Sequence, residues 1–105
     1  MTNRMDENVR KALGPVERLY MLGVKGDADA VVEADRRLAA LRSAEGDHPL
    51  AKAYHGGIKI LLARDRKKPV EKLRLSREGL TLLDEAAAAA PNAHDIRIIR
   101  GRSAF

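Results

Sequence analysis

Three histidines are the side chains in this sequence best able to hold a metal or move a proton, and they stand well apart at His48, His55 and His94. None has a glutamate or a second histidine at the spacing by which one helix face supplies two zinc ligands, as His-Glu-x-x-His does. There is no cysteine, which excludes thiolate zinc sites and disulfides together. Ser43, Ser76 and Ser103 lie in no strand-turn-helix elbow that would present a nucleophile. Asp65, Asp84, Glu85 and Asp95 form no carboxylate pair suited to acid–base exchange. Gly56-Gly57 lacks the Gly-Lys-Ser/Thr of a phosphate loop and falls inside a helical pattern, where small residues mark close packing. The expectation is a protein that is not an enzyme and holds no metal or cofactor.

One polar constellation remains. Lys52, His55 and Lys59 are spaced three and four apart, so a helix sets them in a single strip. The rest of that helix, expected over 49–64, is apolar around most of its circumference through Leu50, Ala53, Tyr54, Gly57, Ile58, Ile60, Leu61 and Leu62. Such a rod must be covered on more than one side. Pro49 pre-sets its first turn and Asp47 can accept hydrogen bonds from its free amides.

The surrounding sequence supplies the cover. A first helix is expected over 3–13 and stops at Gly14-Pro15. Pro15 then opens a second, short helix to Gly26, its stripe continuing through Val16, Leu19, Tyr20 and Gly23. A third, capped by Asp27 or Asp29, runs over 28–44 with Val31, Ala34, Leu38 and Leu41 inward and Glu33, Arg36, Arg37 and Arg42 outward.

After the 49–64 helix a basic link reaches Pro69, which disfavours helix at Lys68, and a fifth helix follows over 70–90. It carries two apolar rows, one through Leu73, Leu80, Leu83, Ala87 and Ala90, the other through Leu75, Gly79, Leu82 and Ala86. Two rows predict neighbours on two sides. Pro91-Asn92 breaks the chain, and a sixth helix over 92–105 contains Ile96, Ile98, Ile99, Gly101 and Ala104. Its apolar face needs a cover, either the first helix, a second copy of the chain, or further sequence.

Composition agrees with helices. Hydrophobic residues make up 45% of the chain but aromatics only 3%, so the core must be Leu, Ala, Val and Ile in close contact. The length fits a single domain over 1–105. No segment reaches the roughly 18 consecutive apolar residues of a membrane span, and the first residues form no signal core, so a soluble cytoplasmic protein is expected. Net charge is +5, and the excess is local: Lys59, Arg64, Arg66, Lys67, Lys68, Lys72, Arg74 and Arg77 face only Asp65 and Glu71 over 59–77. Such a run is either a solvated loop and helix end or a footprint for an acidic partner.

Leu50, Ala53, Tyr54 and Gly57, followed by Gly79, Leu83, Ala86 and Pro91, resemble the first and second helices of a tetratricopeptide hairpin. Pro49 and Pro91 are 42 residues apart against about 34 for that family, the surplus falling in the link 64–70 and one added turn. On this resemblance the chain divides into an N-terminal helix (1–14), a degenerate hairpin (15–46), a well-formed hairpin (49–91) and a terminal helix (92–105). The fold expectation is all-α, an antiparallel helix-hairpin array of about six helices, with another antiparallel helical bundle as the alternative.

The resemblance implies a protein-interaction scaffold that binds a peptide or protein segment without chemistry. The inner face of such an array would be lined by Lys52, His55, Lys59, Arg97 and Arg100, which suits an acidic segment or a terminal carboxylate. The alternative is that these are solvated positions, with Arg97 and Arg100 paired to Asp84, Glu85 or Asp95. Self-association through Ile96, Ile99 and Phe105 is a further expectation. The competing class is nucleic-acid binding through the basic 59–77 stretch, for which the chain offers charge but no aromatic stacking platform.

Overall fold

The computed structural model describes residues 4–46 and 48–89, and side chains from residue 7 onward. Those residues form four helices: α1 (Arg4–Val24), α2 (Ala28–Glu45), α3 (Pro49–Arg64) and α4 (Pro69–Ala89). Short connections fold each helix back antiparallel to the one before. No helix among the described residues is long and apolar enough to cross a membrane.

Among the described residues the all-α expectation holds, but four helices stand where five were expected. Gly14-Pro15 does not stop α1, which runs through both. Proline removes one intrahelical hydrogen bond, to the carbonyl of Lys11, and crowds the preceding turn. Gly14 and Pro15 lie on the exposed side, so that loss faces water. On the other side Val9, Leu13, Val16 and Tyr20 form one unbroken buried stripe. Burying four apolar side chains outweighs one local bond, and the two expected helices are one. The expected helix over 92–105 lies outside the described residues, with Arg97, Arg100, Ile96, Ile99 and Phe105.

The turn from α1 to α2 is fixed by chemistry visible in the sequence. Gly26 adopts φ +115°, a conformation that side chains disfavour, and lets the Asp27 amide donate back to the Leu22 carbonyl at 3.0 Å. The Asp27 carboxylate then caps α2 by accepting from the Ala30 amide at 3.0 Å. α3 starts differently from the expectation: the His48 ring, through Nδ1, accepts from the Leu50 amide at 3.2 Å, with Pro49 in the first turn. The expected cap, Asp47, lies outside the described residues.

α3 is the hub, packing against α1, α2 and α4. Its all-round apolar surface is thereby covered, as read from the sequence, and Leu50, Ala51, Ala53, Ile58, Leu62 and Ala63 are buried. Tyr54 meets Tyr20 of α1 edge to face, with ring centres 5.8 Å apart. Against α4 the approach is closer: a Cβ at Gly56 would stand 2.7 Å from the Gly79 carbonyl oxygen. Glycine at both positions lets the two backbones touch.

α4 corrects a second expectation. Among the described residues it packs on α3 alone, through Leu75, Gly79, Leu83 and Ala86. The first row divides: Leu83 is buried and Ala87 packs against the core, whereas Leu73 is 54% exposed and Leu80 43%, and Val70, at the start of the helix, is 79% exposed. Periodicity reports that a face is apolar; it does not say whether the cover comes from the same chain.

Candidate functional site: a cationic groove beside a buried histidine

α2 and α4 both lie on α3, yet their backbones do not approach each other. Between them is a groove of about 840 Å³. Its inner wall comes from His55 and Lys59 of α3 with Arg42 at the end of α2; its outer wall is one face of α4, with Val70, Leu73 and Leu82 as the apolar part and Arg74 and Arg77 as the charged part. Positions 70, 73, 74, 77 and 81 share that face because they are spaced three or four apart.

At the base of the inner wall four charged or titratable side chains meet. His55 Nε2 lies 2.8 Å from Asp35 Oδ1, and His55 Nδ1 lies 3.0 Å from an Arg42 guanidinium nitrogen. A guanidinium can only donate, so Nδ1 accepts from Arg42, and Nε2 carries the proton it donates to Asp35. Lys59 Nζ reaches the same carboxylate oxygen at 3.1 Å. The hydrogen bond from His55, and after it the one from Lys59, holds the Asp35 carboxyl below its ordinary value; partial burial acts the other way and is outweighed.

The cluster ties α2 to α3. The sequence reading placed His55 at an exposed position lining a binding face, with a solvated position as the alternative; at 5% exposed it is neither, but a buried tie whose two ring nitrogens are both engaged. Lys59 is also more sheltered than a surface lysine, held by Asp35. Lys52 stands outside the groove lining and pairs with Glu85 of α4 at 3.6 Å. Arg97 and Arg100 lie outside the described residues.

No family model matches this chain, and the comparisons with curated proteins and with solved structures found no match.

Two site residues escape the sequence reading. Arg42 was expected to point outward and instead meets His55; Asp35 carried no expectation. A signal was present: Val31, Asp35, Leu38 and Arg42 follow a spacing of four, three and four, so both charges lie within the inward stripe of α2. Charges in such a stripe require polar partners on the facing helix, and His55 and Lys59, four apart on α3, are those partners. On α4, Arg74 and Arg77 had been read only as part of a basic run. Among the described residues neither has an ion-pair or hydrogen-bond partner.

Proposed function

We propose that this chain is a non-enzymatic protein-interaction module that takes a segment of another protein in the groove between α2 and α4. The observation that carries this is the exposed apolar face of α4, with Val70 and Leu73 standing open beside a slot already walled by α2 and α3. Apolar side chains gathered along one groove gain by being covered, and the gain is available to a partner.

A non-catalytic role is supported by His55. Its Nδ1 lone pair is taken by Arg42 and its Nε2 proton by Asp35, so the most sheltered base of the site has no nitrogen left to act on a substrate. The antiparallel α3–α4 pair, closed at Gly56 and Gly79, supports the reading of 49–91 as one tetratricopeptide-like hairpin, with a cytoplasmic setting as part of the same proposal.

A random peptide display library tests the function. Selection on the wild-type chain, with Leu73→Asp as the counter-selected variant, should enrich sequences that the variant does not retain. Failure to enrich, or equal retention by Leu73→Asp, would remove the groove as the binding surface.

A further inference from the structure

Resting on that reading, we infer that the occupant of the groove is an acidic amphipathic helix from another protein, its apolar row on Val70, Leu73 and Leu82 and its carboxylates on Arg74 and Arg77. Shape is the first argument. Two helices laid on a third leave a slot of the kind a further helix fills, since helices pack with axes about 8–10 Å apart and ridges set into grooves. α2 and α4 flank α3 in this way, and the slot is open along α4.

Charge is the second. Lys59 is committed to Asp35, and Arg42 to His55, so the inner wall offers little to a new anion. Arg74 and Arg77 differ: among the described residues both are exposed on the outer wall and unpaired, and Glu78 is the only acid of those residues that lines the groove. A planar guanidinium beside apolar surface suits a carboxylate whose own stem is apolar. A free anion would use the charge and leave Val70 and Leu73 uncovered.

The same charges weigh against the two nearest alternative occupants. Residues 90–105 carry Arg97, Arg100 and Arg102 against a single acid, Asp95, and would bring like charge to the groove. A second copy presenting the same face would set Arg74 and Arg77 against their own counterparts. Both arrangements stack cations where the acidic helix neutralises them.

Fluorescence anisotropy on the full chain tests this with three fluorescein-labelled peptides of equal length. One has leucine on one helical face and glutamate elsewhere; the second replaces glutamate by lysine; the third scrambles the first so that no face survives. The leucine–glutamate peptide should bind, and Arg74→Glu/Arg77→Glu should weaken it by about tenfold or more while accepting the lysine peptide in its place. The off-groove control Arg66→Glu/Lys67→Glu, of equal charge change, should leave binding nearly unaltered.

If the lysine peptide binds the wild type as well as the glutamate one, the groove stands and its acidic occupant falls. Equal binding of the scrambled peptide removes the helix. Displacement of the glutamate peptide by a single-stranded oligonucleotide, with tighter binding, gives the cations to phosphates and overturns the inference. Binding of no peptide at all overturns the groove with it.

Discussion

Gly56 and Gly79 meet backbone to backbone, a Cβ on Gly79 falling 2.6 Å from the Gly56 carbonyl oxygen and 2.7 Å from Ile60 Cγ1. The first of these atoms belongs to a helix backbone and cannot swing aside. Gly79→Ala must therefore part α3 from α4. Alanine gains about 1 kcal/mol over glycine in a helix, but the forced separation outweighs it, and a net loss of about 1–3 kcal/mol is expected from urea unfolding. An unchanged midpoint would mean that the two helices have slack, and that the outer wall of the groove is not fixed by this contact.

The Asp35 cluster gives a pH dependence with a definite sign. Its carboxyl is held below the ordinary value of 3.8, first by the His55 hydrogen bond and then by Lys59. The stability it contributes is therefore fully present above pH 3.8 and is lost as pH falls through the lower, folded-state value. In Asp35→Asn that low-pH part of the unfolding curve should flatten, and the variant should be less stable than wild type at neutral pH. Glu33→Gln is the control: Glu33 is lowered too, by Arg36 and Arg37, but both of those partners lie on α2 itself, so this pair joins no second helix. If it flattens the curve as much as Asp35→Asn does, the tie between α2 and α3 is not what acid breaks.

α1 carries a proline in its interior, with Lys11 left without the backbone partner it would otherwise have. Pro15→Ala restores that donor. Against it stands the entropy that proline removes from the unfolded chain, up to about 1 kcal/mol. A net gain of about 1–2 kcal/mol is expected from thermal or urea unfolding. A loss would show that a bend at Pro15 is needed to seat Val9 and Leu13.

How much of this was legible in the sequence follows from which forces are local. α3 was readable to the residue at both ends, because Pro49 fixes its first turn and an apolar surface on every side predicts a hub. The Gly26-Asp27 turn was readable because a left-handed glycine and an N-cap leave residue-type signatures. Pro15 misled, since a breaker acts over one turn while the stripe from Val9 to Tyr20 acts through the whole helix. On α4 the two apolar rows were visible, but Leu73 and Leu80 look the same whether their cover is internal or external.

The site divides in the same way. His55 and Lys59 announced themselves by polar side chains on an apolar rod, whereas Asp35 and Arg42 were hidden among the many charges of α2. Their role depends on which face of α2 meets α3. That register belongs to tertiary packing, and only the seven-residue spacing of the two charges within the Val31–Leu38 stripe hints at it.

The most direct test is an NMR titration of the isotopically labelled chain with the leucine–glutamate amphipathic peptide, following backbone amides. Shifts are predicted to gather at Val70, Leu73, Arg74, Arg77 and Thr81, with His55 and Lys59 across the groove, while Arg10, Glu17 and Arg18 on the exposed side of α1 stay still. Shifts confined to the basic turn at 64–68, or spread over α1, would contradict the groove as the binding surface.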